Sequence, residues 1–161
     1  MDKTIRVELT DKSINKAIKE LKVYKLWVLE KEKELRARLA MVGATVASIQ
    51  FSRAIYDGSN DISVRVDDTG SVAVIYAEGE SVAFIEFGAG IKYGYGHPQA
   101  GEFGVGAGTY PDGKGHWDNE KGWWFGDSQH TYGNPPAMAM YDAVQKITEQ
   151  VTQIAREVFS H

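Results

Sequence analysis

Apolar residues between Ile14 and Ile49 recur at intervals of three and four: Ile14, Ile18, Leu21, Val28, Leu35, Leu39, Val42, Val46 and Ile49. That is the period of one helix face. Two seam positions are charged instead, Lys25 and Glu32, where VYKLWVL presents apolar residues on every side and EKEKE follows. The pattern predicts either two helices or one long helix with a weak middle, pivoting near Lys22–Glu30 and ended by Asp57-Gly58. Ahead of it, Ile5, Val7 and Leu9 alternate within Thr4–Leu9 and read as a short strand. Asp11 is placed to cap a helix starting near Lys12.

DISVRVDDTGSVAVIYAEG (Asp61–Gly79) has the period of two instead. Ile62, Val64 and Val66 alternate with polar residues, DDTGS supplies a turn, and Val72, Val74 and Tyr76 resume the alternation, which predicts a β-hairpin. Ala73, Ile75 and Ala77 make the second strand apolar on both faces and suggest a central place for it. SVAFIEFGAG (Ser81–Gly90) fits a strand or a short helix equally, and Gly88 and Gly90 stop it either way. At the C-terminal end, Met140, Val144, Ile147, Val151, Ile154 and Val158 form one helical stripe. That helix is expected to run to about Phe159, with Asn134 as its N-cap and Pro135 or Pro136 in its first turn. The expected fold is α+β: an antiparallel sheet, made of the hairpin plus additional short strands, packed by a long N-terminal helical segment and a C-terminal amphipathic helix. The 161 residues read as a single domain.

Between these regular parts lies a tract, Gly88–Pro136, with no clear period. It holds 13 of the 17 glycines and 9 of the 18 aromatic residues. So long a connection is functional, ordered by a partner, or hides short strands, for which KGWWFG (Lys121–Gly126) is the best candidate. Charge is also uneven. Residues 1–58 carry 12 Lys/Arg against 8 Asp/Glu, and residues 59–161 carry 6 against 14. The acidic part is a poor place for phosphate contacts, which argues against nucleic-acid recognition, while opposite halves allow copies to meet head to tail. The absence of cysteine removes disulfides and thiolate chemistry. Neither a signal peptide nor a membrane span is visible in the sequence, which suits the cytosol.

Few residues suggest chemistry. GTYPDGKG (Gly108–Gly115) has P-loop spacing, but Gly115 replaces the hydroxyl that would hold magnesium, so it reads as a turn. His97, His116 and His130, with Asp118 or Asp127, match no compact metal spacing, although a metal-dependent hydrolase using His97, His116 and Asp118 is one reading of them. His97-Pro98 reads as a turn. Glu86, flanked by Phe84, Ile85 and Phe87, is the best acid–base candidate, yet has no evident partner in the sequence. A structural role suits it better, accepting N–H groups from the Gly88–Gly96 turn or pairing with an arginine. The cluster Trp117, Trp123, Trp124, Phe125 and Tyr132 suits a protein contact, or a carbohydrate platform using Trp117, Trp123 and Trp124.

Taken in order, AFIEFGAGI (Ala83–Ile91), the His97-Pro98 pair, the GWWF core (Gly122–Phe125) and TYGNPPAMAMYDA (Thr131–Ala143) resemble a tailed-phage family. These are the gene-10-like tail-component proteins, the neck or tail-completion proteins of siphophages and related prophages. The pattern x-E-F-G-[TA]-G, then a variable loop, then G-[NT]-P-x-x-x-M is matched by Glu86, Phe87, Gly88, Gly90, Gly133, Asn134, Pro135 and Met140. The resemblance covers roughly residues 12 to 159. Ala89 stands where many relatives carry Thr, which removes any hydroxyl contact there. The resemblance implies a structural protein of the virion neck or tail, made in the host cytoplasm and acting as a homo-oligomeric ring. It implies no catalysis, cofactor, metal or membrane. Its neighbours would be a connector, tail terminator or tail tube, and DNA would pass through the ring without sequence-specific binding. The candidate assembly interface is Glu86, Phe87, Tyr93, His116, Trp117, Trp123, Trp124 and Phe125, within an arm at about 88–136.

Overall fold

A computed structural model of the chain describes residues 4–54, 60–90, 96–105, 123–125 and 129–160. The order of elements is α1 (Asp11–Arg53), β1 (Ser63–Asp67), β2 (Val74–Glu78), α2 (Val82–Phe87), β3 (Trp123–Phe125), β4 (Gln129–Thr131) and α3 (Ala139–Ser160). The fold is α+β.

The long periodic segment is one unbroken helix of 43 residues. The charged stretch does not break it, because Lys, Glu, Leu and Arg are good helix formers and adjacent turns are joined by ion pairs. Lys31 meets Glu34 at 3.2 Å, Arg38 meets Glu34 at 2.7 Å and Arg36 meets Glu32 at 3.7 Å. The hydrogen bond from Lys31, with help from Arg38, holds the Glu34 carboxyl below the usual carboxylate range. Thr10, not Asp11, is the N-cap: its hydroxyl accepts the Ser13 N–H at 3.3 Å. Residues 4–8 are not a strand; Thr4, Ile5 and Arg6, with Ser13, Lys16, Ala17 and Glu20, line a groove beside the first turns of α1. The helix ends at Arg53, with Ala54 as its C-cap, and Asp57-Gly58 lies outside the described residues.

α3 runs antiparallel to α1. Gln50 Nε2 donates to Asp142 Oδ2 at 2.7 Å near one end, Arg38 reaches Glu157 at 3.6 Å, and Trp27 meets Phe159 edge to face at the other. At about 1.5 Å per residue α3 spans roughly 33 Å and α1 roughly 65 Å. The first sixteen or so residues of α1 therefore project beyond the pair. The stripe expected on α3 is only partly buried: Val158 is enclosed, whereas Val144 and Val151 face outward. The other buried residues of α3 are small, Ala139 and Ala143.

The hairpin forms as predicted, with Val64 opposite Ala77 and Val66 opposite Ile75. These face α1, where Ile75 and Ile147 of α3 both crowd Gly43. Arg36 anchors the turn through Asp68 at 3.8 Å. The opposite face, with Arg65, Val74 and Tyr76, is exposed, so the second strand is not central: β1 and β2 are a two-stranded sheet by themselves. KGWWFG does hide a strand. β3 pairs antiparallel with β4, Trp124 opposite His130, as a second two-stranded ribbon and not as an extension of the hairpin sheet. The compact core is small and sits at one end, where Ala47, Phe51, Phe84, Ile85, Ala89, Ala139 and Ala143 meet.

Asp61 ties the hairpin to α2. Its carboxylate accepts the Glu80 N–H at 2.5 Å and the Ser81 N–H at 3.4 Å. The Glu80 N–H first, and Ser81 second, hold the Asp61 carboxyl below the usual carboxylate range. A depressed folded-state pKa gives stability that is present above the unfolded value, roughly pH 4, and lost as pH falls through the folded one. Asp61→Asn is therefore expected to melt below wild type at neutral pH. The gap in Tm between the two should close as the pH is lowered from about 5 toward 2, which thermal melts across that range will read.

Candidate functional site

Two helix ends face each other where α2 stops and α3 begins, and each satisfies the other. A helix leaves its last carbonyls and first N–H groups without intrahelical partners. The end carbonyls of α2 are met by the segment leading into α3: Phe84 O by Asn134 Nδ2 at 2.9 Å, Ile85 O by Ala137 N–H at 2.8 Å and Glu86 O by Met138 N–H at 3.2 Å. In return the Glu86 carboxylate accepts the Met140 N–H at 2.9 Å and the Tyr141 N–H at 3.0 Å, at the positive end of α3. Ala89 and Asn134 exchange two further backbone bonds, at 2.9 and 3.1 Å. The result is a reciprocal clasp across about fifty residues of sequence.

Asn134 is thus not the N-cap of α3, which starts five residues later at Ala139. Met138 opens the helix from a left-handed φ of 53°, its carbonyl accepting the Asp142 N–H at 2.8 Å. For a residue other than glycine this backbone costs about 1–3 kcal/mol, and the clasp holds it there.

Glu86 has a partner after all, and among the described residues it is a histidine and not an arginine; most of the Gly88–Gly96 turn, residues 91–95, lies outside them. His97 Nε2 lies 3.2 Å from Glu86 Oε1, with the two side chains 2% and 6% exposed. The Gln99 N–H donates to His97 Nδ1 at 3.1 Å, so Nε2 carries the proton toward the carboxylate. The ring is packed by Phe87 at 4.5 Å and by Tyr141 at 5.7 Å between centroids, and Phe103 in turn lies against Phe87. His97-Pro98 is a turn, as expected, but its imidazole is the anchor that fixes segment 96–105 to the clasp. A buried carboxylate–imidazole pair resembles a general-base dyad. Here both imidazole nitrogens and both carboxylate oxygens are engaged within the protein, so the pair ties α2, the start of α3 and segment 96–105 together.

No family model matches the chain, and neither a curated protein nor a solved structure matches it. The site must be judged on its own chemistry.

Of the candidate interface residues, the structure brings Glu86 and Phe87 together at the clasp, with the Glu86 carboxylate turned inward. Trp123, Trp124 and Phe125 form β3. Tyr93, His116 and Trp117 lie outside the described residues, as do Asp118, Asp127 and the Gly108–Gly115 turn. Among the described residues there is no group of three side chains able to hold a metal ion, and no helix is long and apolar enough to cross a membrane. His97 and Tyr141 were missed as partners of Glu86. The signal was present in the charged residue within an apolar run, but nothing local says which distant groups would satisfy it.

Two glycines make the clasp possible. Gly88 and Gly133 have φ of 77° and 103°, and a Cβ on Gly88 would stand 2.8 Å from Pro136 N and 2.9 Å from Asn134 O, both backbone atoms that cannot yield cheaply. Gly88→Ala is expected to lose about 2–5 kcal/mol, combining left-handed strain with overpacking. Glu86→Ala should lose about 3–5 kcal/mol, because it leaves His97 and two helix N–H groups buried without an acceptor, and Glu86→Gln should lose less. Urea denaturation of the variants checks both; a loss under 1 kcal/mol for Glu86→Ala would contradict the clasp.

Proposed function

We propose that this protein is a structural component of a phage or prophage particle, assembled at the head–tail junction or the top of the tail as copies of one chain. The observation that carries the reading is the clasp. Two of the four stretches on which the resemblance rests, EFGAG and GNPPAM, are one structural unit, joined by Glu86, Ala89 and Asn134. Another of the four, His97-Pro98, is fastened to the same unit. A pattern spread over the chain has a physical reason to persist together when its parts cap one another.

The surface supports an assembling rather than a catalytic role. The chain's apolar residues exceed what its small core encloses, and large side chains such as Leu21, Leu26, Met41 and Val144 are left exposed. Exposed apolar surface of that extent marks sites of protein contact. The clasp is a hub to which segment 96–105 is tied through His97, so a neighbour would meet that segment in a fixed place. The neighbours proposed are further copies of the chain and the connector, terminator or tube proteins of the particle.

Deleting the gene from its phage or prophage is the decisive experiment. Electron microscopy is expected to find full heads and tails that fail to join, with normal particles restored by the gene supplied in trans. Normal joined particles from the deletion would overturn the proposal.

A further inference from the structure

We infer that copies of this chain associate head to tail, the projecting half of α1 from one copy docking on the outward face of the β1–β2 hairpin of the next. This rests on the assembly role proposed above and names the surfaces it would use.

The helix supplies the first surface. Beyond the end of α3, the seam that pairs the two helices continues along α1 as Ile14, Ile18 and Leu21, which are 40%, 44% and 55% exposed. No described residue covers it. The same stretch carries five lysines, Lys12, Lys16, Lys19, Lys22 and Lys25, against two acids, Asp11 and Glu20. Two such helices laid against each other would bring like charges together, which opposes a symmetric pairing of the two overhangs.

The hairpin supplies the second. Val74 and Tyr76 are 40% and 43% exposed, and, apart from Asp68, which is turned to Arg36 of α1, Asp61–Glu80 holds four acids, Asp61, Asp67, Glu78 and Glu80, against one arginine, Arg65. An apolar centre in an acidic rim complements an apolar seam flanked by lysines. The lengths agree as well: the overhang is about 24 Å long and a five-residue strand about 17 Å.

The two surfaces cannot meet within one molecule. Ile75 packs beside Gly43, and Leu21 lies 22 residues earlier on the same rigid helix, roughly 33 Å away. Complementary patches held apart on one body generate a heterologous contact, which closes into a ring or runs on as a filament.

The chain has no cysteine, so introduced thiols report this contact without background. The full-length double variant Leu21→Cys/Tyr76→Cys, treated with a short bis-maleimide, is expected to give a ladder of dimers, trimers and higher species. A mixture of the two single variants should stop at dimers, and each single variant alone should stay monomeric. Adding Ile18→Asp to the double variant should abolish the ladder, and 0.5 M salt should weaken it severalfold. Dimers from Leu21→Cys alone would overturn the inference in favour of a symmetric helix pair, and no cross-linking beyond that of a denatured control would overturn it outright. Neither outcome touches the proposed role in the particle, which fails only if particles assemble without the gene.

Discussion

The fold depends on the mutual satisfaction of two helix ends. A six-residue helix such as α2 has too few internal hydrogen bonds to persist alone. Its last carbonyls find donors in the segment entering α3, and α3 finds its cap in the carboxylate that α2 carries. Neither end is stable without the other, so the chain between them must return to the same place however it travels. The small core of alanines and three aromatic or branched side chains forms around that junction because small residues let the three backbones come close.

A buried carboxylate that serves as a cap explains why Glu86 sits among phenylalanines. Its charge is balanced by the partial positive charge at the start of α3 and by a hydrogen bond from His97, not by solvent. The arrangement places an acidic side chain and an imidazole side by side. Both carboxylate oxygens and both ring nitrogens bond to the backbone or to each other, and through them three segments far apart in sequence are fastened together.

The same economy leaves surfaces over. With α3 half as long as α1, the seam that joins them runs out before α1 does, and the hairpin covers α1 with only one of its faces. A single copy has no further element, among the described residues, with which to bury either remainder. The long tract between α2 and α3 enters the described fold at the His97 turn and again at the β3–β4 ribbon.

Local elements were legible from the sequence, because they are set by short-range regularities. The period of three and four gave α1 and α3, the period of two gave the hairpin, and KGWWFG gave away a hidden strand. Helix propensity and neighbouring ion pairs, both local, carried α1 through the charged stretch that the seam pattern alone left open. What tertiary structure decided are the partners and the boundaries that depend on them. The start of α3 moved from Asn134 to Ala139 since its cap comes from Glu86, a residue 54 positions away. The role of His97 was invisible because hydrogen bonding between groups far apart in sequence leaves no periodic trace. Which face of the hairpin and which stretch of α1 stay exposed followed from the relative lengths of packed helices, a quantity that exists only once they have met.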